Sequence, residues 1–291
     1  MDTAVGLFVY KRPEHTARVL EGLQNNRVSR LFVFSDGPTN DSDNIGVEQT
    51  RDLIRKIDWC QVDLVESEQN LGLANSIMAG VSRMLETHDS AVILEDDCVP
   101  AVGFLSFMKY CFKKYKDNSE VMGVTGYSIP VGMPDSYPYD VYFSSRGSSW
   151  GWGTWKRAWK EFHRDLGLWE KIKSDKKIRA SINHFGKDLL PMLRKSAEGK
   201  NDSWAVYWAI HVILSKGLFV VPTQSLIENI GFDGSGTHCD NSSAFSVKSE
   251  DIASGALAFP DTISPDEEID TNISKFVNVS LISKIRRKIS Y

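Results

Sequence analysis

The sequence predicts an α/β protein with a mostly parallel central sheet flanked by helices, and three observations carry that prediction. Short apolar runs rich in β-branched and aromatic residues alternate with stretches of helical spacing four times before residue 100. The runs are continuous rather than alternating, as strands covered on both faces require. Each closes on a polar or turn-forming cluster, which collects charge along one edge of the sheet.

The first strand is "AVGLFVY", Ala4 to Tyr10, ended by Lys11, Arg12 and Pro13. "HTARVLEGLQNN" follows with Ala17, Leu20 and Leu23 at helical spacing. "RLFVFSDGP" repeats the pattern and stops at Ser35-Asp36-Gly37-Pro38. "VDLVESEQNLGL" gives a third strand running into a loop, and "ANSIMAGVSRMLETH" an amphipathic helix with Ile77, Val81 and Met84 on one face. The fourth strand, "AVILEDD", ends in acids. Ligands of such sheets sit beyond the carboxyl ends of the strands, near the point where strand order reverses. Arg12, Asp36, Glu66 and the triplet Glu95, Asp96, Asp97 therefore form a polar rim there. Glu66 alone reads as a solvated loop charge. The triplet does not, because three adjacent carboxylates repel unless a cation or donor groups compensate them. On an extended segment Glu95 and Asp97 would share a side while Asp96 faces away.

After "VMGVTGYSIP" the composition changes, and "SSRGSSWGWGTWKRAWKEFHRDLGLWEK" holds five of the chain's eight tryptophans. Met122 to Tyr142 is the expected junction between a first half (1–120) and a second (121–240) sharing one sheet, with 241–291 as a C-terminal extension. "LFVVPTQSLIENIGFDGSGTHC" gives a further strand, a polar turn and a Gly-rich loop ending at His238. In the extension, Phe276, Val277, Leu281, Ile282 and Ile285 lie among Lys284, Arg286, Arg287 and Lys288. That pattern is compatible with a basic amphipathic helix on an anionic membrane surface, or with a solvated face.

A net charge of -4 argues against a protein devoted to gripping nucleic acid. Cys60, Cys98, Cys111 and Cys239 show neither paired nor zinc-like spacing, which fits reduced thiols. The start "MDTAVGLFVYKRPEH" has no basic leader or cleavage site, and no stretch reaches 18 apolar residues. The expectation is a cytoplasmic protein, with peripheral contact at the inner face of the cell membrane through the C-terminus.

Hard cations such as Mg²⁺ and Mn²⁺ prefer carboxylate oxygen, and Mg²⁺ sites commonly combine one or two carboxylates with substrate phosphates. The acids at the end of the fourth strand could supply this. Asp202, in "GKNDSWAVYWAI", is a candidate general base, although Asn201 or Asp202 would equally suit the N-cap of the helix that follows; Asp165 is the fallback. His238 could offer an imidazole to a metal or a donor to phosphate. Trp150 and Trp152 could present flat faces to a sugar, whereas Trp155 and Trp159 read as core.

The order of "LFVYKRPEHTARVLEGL", "FSDGP", "NLGLANSIMAGV", "VILEDDCVP", "WGWGTW" and "IENIGFDGSGTHC" resembles the nucleotide-sugar-dependent glycosyltransferases of the GT-A fold. The likeness runs from Ala4 to Cys239 and is greatest to bacterial family-2-type enzymes and the eukaryotic N-acetylglucosaminyltransferases. It implies that Asp97 binds a divalent metal, Mn²⁺ or Mg²⁺, while Glu95 and Asp96 face ribose or donor sugar. It places Asp36 at the base or ribose, Arg12 in the nucleotide pocket and a catalytic acid at Asp202. The implied activity is hexosyl or N-acetylhexosaminyl transfer from a nucleotide-sugar donor, expected to be UDP-linked, to a glycan or lipid-linked saccharide, with inversion, as in polysaccharide biosynthesis. A sugar nucleotidyltransferase is the alternative enzyme, but "YKRPEH" lacks the Gly-rich phosphate loop it would want. A non-catalytic nucleotide-sugar or carbohydrate-binding protein is the other alternative.

Overall fold

The computed structural model describes residues 2–234, 243–252 and 257–289. Its first elements are β1 (Thr3–Val9), α1 (Pro13–Asn25), β2 (Arg30–Ser35), α2 (Asn44–Arg55), β3 (Gln61–Glu66), α3 (Leu73–Thr87), β4 (Ser90–Glu95), β5 (Cys98–Pro100) and α4 (Phe104–Lys114). Then come β6 (Val121–Thr125), β7 (Val141–Ser144), β8 (Trp152–Trp155), α5 (Lys156–Trp159), α6 (Leu168–Ile172), α7 (Lys176–His184) and α8 (Leu189–Ala197). The chain continues through α9 (Ala205–Leu214), β9 (Leu218–Pro222), β10 (Ile227–Asn229) and α10 (Glu267–Ile289).

Eight strands make one sheet in the order β3-β2-β1-β4-β8-β6-β9-β7. The pairs β3-β2, β2-β1, β1-β4 and β6-β9 are parallel, and only β8 and β7 run against the rest. This is the expected α/β class, and strands from both halves of the chain lie in the same sheet. Strand order reverses between β1 and β4, so the crevice of the fold opens where Arg12 and the acid triplet emerge.

The helices form for local reasons that also fix their packing. Pro13 opens α1 at a position that has no intrahelical bond to lose, and Thr16, Val19, Leu20 and Leu23 are its buried stripe. In α3 the buried face includes Ile77, Val81 and Met84, as the sequence predicts. The second half is built on aromatic rings. Trp152 stacks on Trp204 at 4.8 Å and tilts against Trp159 and Trp208 at 5.9 Å each. The helix α9 is apolar on nearly every side, because it packs through the aromatic cluster on the sheet and against α7 and α8 as well.

A second, two-stranded sheet pairs β10 with β5 in antiparallel register, Asn229 opposite Cys98. It carries the segment after β10 back to the acid triplet. The chain beyond residue 243 also returns to the body of the protein: Ile269, Ile273 and Val277 are a buried stripe of α10, and Ser144 donates to Asp270 at 2.6 Å. Among the described residues no helix is long and apolar enough to cross a membrane. The side chains of Leu281 to Lys288, which carry the expected basic amphipathic face, lie outside those described.

Candidate functional site

The strand β4 stops at Glu95, and Asp96 and Asp97 form a turn into β5. This corrects the expectation from strand alternation, because a turn does not send neighbouring side chains to opposite faces. Both aspartates meet one guanidinium. Arg12, the residue before Pro13, donates from Nε to Asp96 at 3.2 Å, and from Nη2 to Asp96 and, at 2.8 Å, to Asp97. Asp96 and Asp97 are buried, at 5% and 8% exposure, so a single arginine serves two carboxylates that water barely reaches.

One positive charge does not balance three acids. Burial, then the charges of Asp97 and Asp96, push the Glu95 carboxyl up to about 8 against the opposing pull of Arg12. Burial also raises Asp96, with Arg12 offsetting it. Burial disfavours the charge on Arg12 itself, but the hydrogen bonds and charges of Asp96 and Asp97 outweigh it and hold the guanidinium above its ordinary range. The third guanidinium nitrogen, Nη1, is buried without an acceptor.

The β5-β10 pair covers this turn from the other side. Ile230 donates its backbone N–H to the carbonyl of Asp97 at 2.9 Å, and Gly231 donates to Asn229 Oδ1 at 2.9 Å. A β-carbon at Gly231 would overlap Asp97 Oδ2, so glycine is required by the close approach. Asn229 is 3% exposed, and its Nδ2 has no acceptor. His15, one residue into α1 beyond Glu14, lies 3.2 Å from Asp233 through Nε2. His15 and Asn229 are site neighbours that the sequence reading missed. The adjacency of "PEH" to Arg12 was a usable signal for His15, whereas the pairing that brings Asn229 in is long-range and has none.

Asp36 is a buried anchor. It accepts from the backbone N–H groups of Gly37 at 2.9 Å, Leu71 at 2.8 Å and Gly72 at 3.0 Å, and so shapes the loop between β3 and α3. Asp202 reaches the same loop from the second half of the chain. Its Oδ2 accepts from Ala74 N at 3.0 Å and its Oδ1 from Arg164 Nη2 at 2.8 Å. The N-cap of α3 is Gly72, which has no side chain to satisfy the first amides, so Asp202 performs the capping from 128 residues away. Capping was the anticipated alternative role for Asp202, but at the helix after it; that helix, α9, has Trp204 at its N-cap, and Ser203 Oγ, not Asp202, accepts from Val206 N at 3.4 Å. The fallback acid Asp165 lies in a surface turn, paired with Lys171 at 2.6 Å.

Trp152 is corrected by the structure. It is 1% exposed and stacked inside the aromatic cluster, where no face is open to a sugar. Trp155 and Trp159 are buried too, as expected of core residues. Trp150 is partly buried, with its ring edge-to-face against Tyr127 at 4.5 Å and Phe232 at 5.6 Å. His238 and Cys239 lie outside the described residues.

Among the described residues no group of three or more His, Cys, Asp or Glu side chains gathers as a ready-made metal cage. The oxygens of Asp96 and Asp97 nevertheless suit a hard divalent cation that completes its shell with phosphate oxygens and water. No family model matches the chain, and no curated protein matches it in sequence. Solved structures do resemble it. One is the mannosyltransferase PcManGT from Pyrobaculum calidifontis in complex with GDP-Man and Mn²⁺, at 14% identity over 73% of each chain with a TM-score of 0.35. Another is 4-diphosphocytidyl-2C-methyl-D-erythritol synthase from Anaerococcus prevotii, at 9% identity over 60% of this chain and 84% of that one, TM-score 0.33.

Proposed function

We propose that this protein is a metal-dependent, inverting glycosyltransferase of the GT-A fold, which moves a sugar from a nucleotide-sugar donor, UDP-linked by preference, to a glycan or lipid-linked glycan hydroxyl. The observation that carries the reading is the pair Asp96–Asp97, buried at the end of β4 beside the point where strand order reverses and held by Arg12 from the end of β1. Buried carboxylates are costly, and a site for a cation and a diphosphate gives them a use.

In this reading Asp97 holds Mn²⁺ or Mg²⁺, joined by His238, while Glu95 and Asp96 face the donor sugar and ribose. The metal would neutralise the charge that develops on the leaving diphosphate. Arg12 adds donors for the phosphates, and Asp36 keeps the loop that borders the nucleotide in place. Trp150 remains the aromatic candidate for the donor sugar. Asp202 takes the proton of the acceptor hydroxyl as that oxygen attacks the anomeric carbon from the face opposite the leaving group. Its two hydrogen bonds leave lone pairs free on both oxygens, and its side chain is 40% exposed, so an acceptor can reach it.

The test is a nucleotide-release assay across UDP-, GDP-, dTDP- and CMP-sugars, with Mn²⁺ or EDTA, on wild type, Asp97→Ala and Asp202→Asn. Release that needs metal, disappears in Asp97→Ala and falls at least a hundredfold in Asp202→Asn with nucleotide binding intact supports the reading. Silence across the panel with no metal-dependent nucleotide binding refutes it. Formation of a nucleotide-sugar from a nucleoside triphosphate and a sugar 1-phosphate would replace it with a nucleotidyltransferase.

A further inference from the structure

We propose that Arg12 is an exchangeable counter-ion: its guanidinium neutralises Asp96 and Asp97 while the site is free of ligand, then moves to the phosphates when a divalent cation and a nucleoside diphosphate arrive together. The inference deepens the donor-site reading and rests on it.

Arg12 already holds both oxygens of Asp96 and Oδ2 of Asp97, and Asp97 Oδ1 lies 3.5 Å from the Cys98 thiol. Nη2 contacts both aspartates, lying 2.8 Å from Asp97 Oδ2. An ion about 2.1 Å from that oxygen would sit within about 5 Å of the guanidinium and share the one carboxylate oxygen with it. A cation arriving alone therefore either displaces Arg12 from its partners or bears the repulsion of the guanidinium beside it, and both oppose binding. A cation arriving with a diphosphate brings the acceptor that the displaced arginine needs, and Arg forks match phosphate oxygens in geometry as they match carboxylates.

Two further observations point to an absent acceptor. Arg12 Nη1 is buried and unpaired, so the present arrangement leaves part of the fork unused. Asn229, 3% exposed and fixed through its Oδ1 to Gly231 N, holds Nδ2 beside the same turn with no acceptor. Asp97 is confined by the backbone of Gly231 on one side, whereas Arg12 has the longer side chain and is tied at its end to Asp96 and Asp97. Arg12 is the partner that moves.

The consequence is positive coupling between metal and diphosphate. Calorimetry on the full chain, with Mn²⁺ alone, UDP or GDP alone, and both, measures it directly. In wild type the nucleotide raises Mn²⁺ affinity roughly tenfold or more. In Arg12→Met, Mn²⁺ alone binds several-fold tighter than in wild type and the coupling collapses. Arg12→Lys, which keeps the charge if the methionine variant does not fold, leaves Mn²⁺ alone as weak as in wild type and reduces the coupling. Asn229→Ala also reduces the coupling. If Arg12→Met binds Mn²⁺ no tighter, or Arg12→Lys keeps full coupling, the exchange is wrong while the donor site stands. If wild type binds neither Mn²⁺ nor nucleotide in any combination, the donor-site reading fails and the exchange fails with it.

Discussion

Replacing Gly72 by alanine tests how the two halves of the chain are joined at the site. The residue has φ 80° and ψ 155°, a region that glycine alone occupies without strain, so a side chain there costs about 2 kcal/mol. The new β-carbon would also lie 2.8 Å from Asp202 Oδ2, too close to coexist with it. Asp202 must then withdraw, and the capping bond to Ala74 N, worth about 1 kcal/mol, is lost. Alanine stiffens the unfolded chain and returns roughly 0.5 kcal/mol, so the net loss is about 2–3 kcal/mol. Urea denaturation of wild type, Gly72→Ala, Asp202→Ala and the double variant separates the parts. In the Asp202→Ala background the glycine substitution should cost about 1 kcal/mol less, because the clash and the cap have already gone. Additivity of the two losses within about 0.3 kcal/mol would refute the argument that Asp202 is the cap that Gly72 makes room for.

Trp152→Ala should destabilise the protein by about 3–5 kcal/mol in the same denaturation assay, since it empties a fully buried stack, and a variant of unchanged stability would return Trp152 to the surface. Asp36→Ala strips three backbone N–H groups of their acceptor and should cost about 1–3 kcal/mol, with hydrogen exchange rising at Leu71 and Gly72 before the rest of the sheet. Glu95 gives a pH signature in metal-free buffer. Its carboxyl is raised from the ordinary 4.5 to about 8, so between those values the folded state holds a proton that the unfolded state has released, and stability falls as pH rises. Glu95→Gln removes that slope and should be the more stable protein at pH 8.5, by on the order of 2 kcal/mol after allowing for partial exposure, while matching wild type near pH 4.5. Thermal melts across pH 4.5–9 that run parallel for the two proteins would contradict it.

The parallel half of the fold was legible because its signals are local. Four continuous apolar strands with polar ends, and the α3 stripe of Ile77, Val81 and Met84, each state their own burial. The "WGWGTW" stretch hid a strand, β8, because its glycines read as loop chemistry; Gly153 is needed where β8 passes between β4 and β6, against the carbonyl of Ala91. The helices α2 and α4 were not anticipated, although each buries one face, through Val47, Thr50 and Ile54 in α2 and Phe104, Phe107, Met108 and Cys111 in α4. At the site, the positions of Arg12, Asp36 and the triplet follow from strand ends alone, whereas the partners of those residues do not. Arg12 meets Asp96 across 84 residues and Asp202 meets Ala74 across 128, and no window of sequence contains either pair.

Those two long-range contacts explain why residue type alone did not give the partners of Arg12 and Asp202. An acid before a helix reads as that helix's cap, and an acid in a strand reads as facing one side, because both readings assume the nearest neighbour in sequence is the nearest in space. At a topological switch point that assumption fails, since loops from non-adjacent segments converge there by construction. Trp152 errs for the complementary reason: the glycines around it imply an open loop, but the strand they permit is central to the sheet, with β4 on one side and β6 on the other. The residues whose chemistry is unbalanced locally, three adjacent acids, are the ones that point to the candidate site. Their partial counter-charge, Arg12, stands at the end of the neighbouring strand, and it is the fold that brings the guanidinium onto Asp96 and Asp97.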